Sequence, residues 1–318
     1  MPQSSLTVFL PGLQESLQLI DSGSYTAITQ WLQCAKTMSS PVELSVLDLL
    51  FDQPQSCFSY AGLWAQVGGL GKGNWLIADP VSLELGVNDA RLLGGVTPAL
   101  TAVESQAIFD ELAPFFAAYG MTFKNIQNLW LLSCGQHPVQ DMQAPDALVG
   151  ASITPHLPQP SQGVWADLFN TTQMVLYSAR VNQERRLKGE ATVDALWFWG
   201  SGSPMPLSSL QTTFSTVVTD DLRLQGLLMH FDAEVIGLDQ WVKQGIYDSR
   251  NSGNVLIFCN LLSACDRSVL FKSLIPVIMC NKYHTMRLYT GGDRCYYMPS
   301  KKFLNKFWYW VKHCFAPD

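Results

Sequence analysis

The sequence has no CxxC pair, no apolar run long enough to span a bilayer, and little charge. Asp, Glu, Lys and Arg make up 14% of its 318 residues, against roughly 25% in ordinary soluble domains. Two explanations are open. Surface is shared with a partner, or the exterior is built from the many Gln, Ser, Thr and Asn residues. Eight cysteines at positions 34, 57, 134, 259, 265, 280, 295 and 314 include no pair at redox or zinc-ribbon spacing. Reduced thiols are the default reading for a long chain without an export signal. The opening MPQSSLTVFLPGLQES has neither a basic n-region nor a long apolar h-region, so it reads as cytoplasmic, without a signal peptide.

What is present is apolar residues, 47% of the chain, enough for one large or two medium domains. Net charge is −6, unevenly spread. Residues 280–318 hold seven Lys/Arg against Asp293 and Asp318, a surplus of five that leaves −11 on the remainder. A basic tail suits an anionic contact or a dock onto the protein's own acidic body.

Apolar spacing reads as helix at 25–38 and 42–51, so the first fifty residues read as helical. Residues 74–85 read as strand, 101–119 as an amphipathic helix closed by Gly120, and 122–134 as a hairpin. Residues 135–162 are rich in Pro, Gln, His and Ser, which places a soft boundary near 160. One long helix is expected over 164–188, ended by Gly189. Strands follow at 195–199, 214–218 and 254–259, and helices at 222–229, 267–274 and 301–315. Residues 286–289 and 295–298 are expected to pair across a Gly-Gly-Asp turn. The fold class is α/β, a mixed sheet flanked by helices. Residues 1–160 form an α+β N-terminal lobe and 161–318 an α/β lobe with a basic, aromatic C-terminal helix. The helix 301–315 is either wedged against the sheet or an interfacial contact.

The glycine stretch at 68–73, GGLGKG, fails the phosphate-loop pattern, because Gln66 stands at the first glycine position and Gly73 follows Lys72. It reads as a flexible hairpin tip. Cys280, His284 and Cys295 match no zinc spacing. The five histidines are scattered and no G-x-S-x-G elbow accompanies them. No catalytic residue, metal ligand or cofactor is assigned.

The informative stretch is 165–202. Ser178, Asn182 and Arg185 fall at i, i+4 and i+7, which on one helix is one face. An apolar strand then delivers Gly200, Ser201 and Gly202 at its C-terminal end, where ligands bind in open α/β sheets. With Asp79, these residues form a candidate site for a small anionic ligand. A tight turn with a solvated helix face is the alternative.

VNQERRLKGEATVDALWFWGSGSP, from Val181 to Pro204, resembles a stretch of the RpfE-type regulatory proteins and of archaeal-type cofactor-independent phosphoglycerate mutases, of the alkaline-phosphatase-like superfamily. The matching positions are Val181, Asn182, Arg185, Gly189, Leu196, Trp197, Trp199, Gly200 and Gly202. Asp79-Pro80-Val81 and TDDLRLQGL at 219–227 also match. Against the RpfE-type proteins the likeness spans most of the chain; against the mutases it covers mainly 165–230. Tyr177, Ala179 and Arg180 replace the family's histidines and proline, and Asp194 replaces Asn. The resemblance implies a bacterial, mutase-related fold. The matching stretch corresponds to the mutases' inserted domain, and the metal-bound serine and clustered Asp/His of the mutases are not visible.

The leading expectation is therefore a non-catalytic regulatory or binding protein whose partner is a small anionic ligand or another protein. One alternative is a metal-dependent, mutase-like phosphotransferase drawing on Asp79, Asp220, Asp221, Asp232 and Glu234. The other is an anion or nucleic-acid binder acting through the basic tail, with nucleic acid the less expected partner.

Overall fold

The computed structural model describes residues 4–10, 32, 35–39, 45–51, 59–86, 89–93, 98–139, 142–148, 152–159, 163–243, 253–259, 283, 285–290 and 294–299. The expected helices at 267–274 and 301–315, the 291–293 turn, Cys280 and His284 lie outside these residues. The chain divides into two compact units. One combines residues 1–53 with 211–318, and the other is the intervening Pro54–Leu210. Position 160 falls within the second unit.

The first unit is organised by a seven-stranded sheet. Its strands are β1 (Ser5–Phe9), β2 (Lys36–Ser39), β9 (Thr216–Val218), β10 (Glu234–Ile236), β11 (Val255–Phe258), β12 (Thr285–Tyr289) and β13 (Arg294–Pro299), in the order β10-β9-β11-β1-β12-β13-β2. The five strands from β10 to β12 run parallel; β13 and β2 are antiparallel. Helices α1 (Val46–Phe51), α6 (Leu222–Leu228) and α7 (Leu238–Lys243) belong to this unit. The helical reading is corrected at 5–9 and 36–39, because β1 is the central strand and β2 an edge, while α1 lies inside the helix expected over 42–51. SLTVF is a short apolar run buried on both faces, and such a strand shows no alternation. Leu6, Val8, Val218, Ile236, Val255, Ile257, Met286 and Leu288 form the core around it. The pairing of β12 with β13 is as expected, with Met286 opposite Met298 and Tyr289 opposite Cys295.

The second unit contains α2 (Tyr60–Val67), β3 (Trp75–Val81), β4 (Leu83–Leu85), β5 (Ala90–Leu92), α3 (Ala102–Ala118), β6 (Phe123–Ile126), β7 (Leu129–Ser133), α4 (Val164–Ser178), α5 (Arg180–Lys188) and β8 (Ala195–Gly202). A four-stranded antiparallel sheet, β6-β7-β3-β8, is its spine. Ile108, Leu112 and Phe116 of α3 and Trp165, Leu168, Phe169 and Leu176 of α4 pack on Leu76, Trp130, Leu132, Leu196 and Phe198. Helix α3 starts where the sequence places it. Thr101 Oγ1 accepts from Glu104 N at 3.2 Å and Glu104 Oε2 accepts from Thr101 N at 2.8 Å, the reciprocal capping box. Gly120 closes it at φ 70°. The 68–73 stretch is a helix-to-strand connection between α2 and β3, not a hairpin tip.

Candidate functional site

The corner between α4, α5 and the start of β8 brings together Asn182 and Arg185, while Gly200, Ser201 and Gly202 lie at the opposite end of that strand. The single helix anticipated over 164–188 is broken at Ala179, whose ψ of 135° is extended. Ala179 carries no breaker chemistry; the break is held from a distance by Asn182. Asn182 is buried, and its Nδ2 donates to Leu176 O at 2.6 Å and to Val193 O at 2.7 Å. Its Oδ1 accepts from Val193 N at 2.9 Å. One amide thus closes the end of α4 and ties α5 to the lead-in of β8.

Arg185 is buried one turn further on. Its Nε donates to Ala191 O at 2.6 Å, and its Nη1 donates to Ala99 O at 3.2 Å and to Glu104 Oε1 at 3.0 Å. Glu190 Oε2 lies 3.4 Å from Nη1. The guanidinium therefore braces α5, the chain before β8, and the capping box of α3. Glu104 is held below the usual carboxylate range, first by the Thr101 backbone N–H, then by the Thr101 hydroxyl and Arg185, against the opposing effect of burial. Ser178 stands apart. It is exposed at the end of α4, and its hydroxyl bonds back to Val175 O at 3.1 Å. Asn182 and Arg185 come together, and the helix break separates Ser178 from their face.

Gly200, Ser201 and Gly202 end β8 beneath the first turn of α2. A Cβ on Gly202 would lie 1.9 Å from Ser59 Oγ, and one on Gly200, at φ 68°, would lie 3.2 Å from Tyr60 Cβ. Ser59 caps α2 by accepting from Gly62 N at 2.9 Å. These glycines admit a helix end at close range. Asp79 lies across the sheet from Trp197 and is 1% exposed; Trp199 Nε1 donates to its Oδ2 at 2.8 Å. Tyr60 packs on Trp199 with ring centroids 5.2 Å apart. Asp79 and the β8 end are thus linked through Trp199 and Tyr60.

In the first unit, Asp220 and Asp221 follow β9 at the C-terminal edge of the parallel strands, the usual ligand edge of such sheets. Asp221 Oδ1 accepts from Arg223 N and Leu224 N, both at 2.9 Å, and caps α6. Asp220 Oδ1 accepts from Leu238 N at 2.8 Å. Asp232 and Glu234 are exposed. Asp79 belongs to the other unit. Among the described residues no three His, Cys, Asp or Glu side chains gather in a metal-holding group. Burial pushes the Cys295 thiol up, and burial with the adjacent Cys295 pushes the Tyr289 phenol up to about 12. A thiol so shifted is a poor nucleophile.

Reading along the chain misses Glu104, Ser59 and Tyr60, which complete these clusters from far away in sequence. Thr101-x-x-Glu104 was a legible capping signal, but nothing in it announces Arg185.

No family model matches this sequence, and no curated protein matches it. The solved structures that this chain is similar to include two that can be named. The cofactor-independent phosphoglycerate mutase from Thermoplasma acidophilum is 13% identical with a TM-score of 0.40, over 93% of this chain and 90% of that one. The PH0037 protein from Pyrococcus horikoshii is 12% identical with a TM-score of 0.43, over 93% of this chain and 86% of that one. At this identity no residue role passes from either protein to this chain.

Proposed function

We propose that this chain is a non-catalytic regulatory or binding protein of RpfE type, with a fold related to the phosphoglycerate mutases and a small anion as its ligand. The observation that carries the reading is the use made of its carboxylates. Asp220 and Asp221, at the edge where an α/β sheet does its chemistry, accept backbone N–H groups of Leu238, Arg223 and Leu224. A carboxylate so engaged anchors a loop and a helix start. The bacterial setting is what the resemblance implies, and the cytoplasmic one is part of the proposal. No helix among the described residues is long and apolar enough to cross a membrane.

The test is turnover. The purified chain is incubated with Mg²⁺, Mn²⁺ or Zn²⁺ and either 2- or 3-phosphoglycerate or a model phosphate ester. No turnover is expected. Interconversion or phosphate release that disappears in Asp220→Asn or Asp221→Asn would overturn the reading in favour of metal-assisted phosphotransfer.

A further inference from the structure

The connection from α2 to β3 contains the glycine stretch that fails the phosphate-loop pattern, and it is firmly held. Gly68 N donates to Trp64 O and Leu70 N to Ala65 O, closing α2. Trp75 Nε1 donates to Gly71 O at 3.1 Å. Asn74 O accepts from Cys134 N at 2.8 Å, and Asn74 Oδ1 accepts from the Ser203 hydroxyl at 2.9 Å. Between these anchors, the N–H groups of Gly71, Lys72 and Gly73 donate to no acceptor among the described residues.

These three residues line a cleft of about 470 Å³, with Thr122, Lys124 and Ser133 also on its wall. A Cβ built on Gly71 or Gly73 meets nothing within 4 Å, so the backbone there is open to an approaching ligand. Ser133 Oγ accepts from Thr122 N at 2.6 Å, which leaves its own O–H to donate. No Asp or Glu lines the cleft.

The charge balance makes this arrangement informative. Residues 54–210 hold twelve Asp/Glu against seven Lys/Arg. Arg91, Arg180 and Arg185 are paired with carboxylates, and Arg186 lies over the Tyr177 ring. Lys72, Lys124 and Lys188 form no ion pair among the described residues, and of these Lys72 and Lys124 line one carboxylate-free cleft. Two ammonium groups, a hydroxyl and three unengaged backbone N–H groups are all donors. They suit an anion with several acceptor oxygens around one centre.

We propose that this cleft binds the phosphate group of a small phosphate ester. The proposal rests on the binding reading and gives it a site and a ligand class. The cleft is open to solvent, so the remainder of an ester can extend from a phosphate held there. The loop is anchored before the ligand arrives, so little ordering opposes binding.

The test is a titration of the full chain with inorganic phosphate at constant ionic strength, with chloride as the control, following backbone amide resonances. The Gly71, Lys72 and Gly73 amides are expected to shift saturably with phosphate and not with chloride. Lys72→Gln and Lys124→Gln should each weaken binding roughly five- to thirty-fold. The melting temperature should stay unchanged, because both side chains are exposed. The proposal is overturned by absence of a saturable shift, by shifts centred on residues 219–221, or by undiminished affinity in the double variant. Ester turnover would overturn the non-catalytic reading while leaving this one intact.

Discussion

Arg185 Nη1 lies 3.0 Å from Glu104 Oε1, joining helices separated by 81 positions in sequence. Glu104 offers its other oxygen to the start of its own helix, and Arg185 offers its other donors to Ala99 and Ala191 carbonyls. The Arg185 side chain is 5% exposed and that of Glu104 is 18% exposed, so the pair is weakly screened.

Arg185→Ala should therefore act on stability. It strips the Glu104 carboxylate and the Ala99 and Ala191 carbonyls of their donor, and removing one partner of a largely buried pair costs about 3 kcal/mol. The measurement is the urea midpoint of the purified variant. Arg185→Lys should recover little, because an ammonium cannot reproduce the fork that serves three acceptors. A midpoint unchanged in Arg185→Ala would restore this residue to the ligand-binding role its sequence position suggests.

Glu104 makes part of that stability depend on pH. Its folded-state pKa is depressed, first by the Thr101 backbone N–H and then by Thr101 and Arg185 side chains. A depressed carboxyl stabilises the fold above its unfolded value of about 4.3, and loses that contribution as pH falls through the lower folded value. Denaturation of the wild type and Glu104→Gln across acid pH should show a gap at neutrality that closes below the ordinary carboxylate range. A constant gap would mean that the charge of Glu104 contributes nothing.

Much of the second unit was legible. Thr101, Glu104 and Gly120 bracket α3 in the sequence as they do in the structure, because a capping box and a left-handed C-terminal glycine are local chemistry. The break at Ala179 was not legible, since it depends on Asn182 reaching both Leu176 and Val193. Strand β1 was missed for the opposite reason: buried on both faces, SLTVF has no period to read. The candidate site shows the same limit. Asp79 is visibly a polar residue in an apolar run, but Asn182 and Arg185 stand in the polar stretch RVNQERRLK, and the partners of all three come from elsewhere in the chain. Sequence spacing cannot tell an internal brace from a ligand contact.

Asn182→Ala tests the helix break directly. It leaves Val193 N–H and the Leu176 and Val193 carbonyls without their side-chain partner in a buried setting. Such a loss costs about 1–3 kcal/mol. Asn182→Asp keeps the acceptor and loses both donors, and should be at least as damaging at neutral pH. Stability close to wild type in both variants would show that the break at Ala179 is set by something other than this amide.

Gly62→Ala gives a prediction whose sign differs from the general rule. Gly62 lies in the first turn of α2, and replacing glycine by alanine inside a helix ordinarily stabilises by roughly 0.5–1 kcal/mol. Here the added Cβ would lie 2.3 Å from Ser203 O and 2.8 Å from Ser59 Oγ. The first of these is backbone, and it follows Gly202, whose own Cβ position is filled by Ser59 Oγ at 1.9 Å. Neither side of the contact can give way without moving α2 off the end of β8. The variant should therefore unfold at lower urea than wild type. It should also change the fluorescence of Trp199, whose indole packs on Tyr60 at the same end of the helix. If Gly62→Ala proves stabilising, α2 does not rest on Gly202 and Ser203 as closely as the distances state, and the packing role of the β8 glycines falls with it.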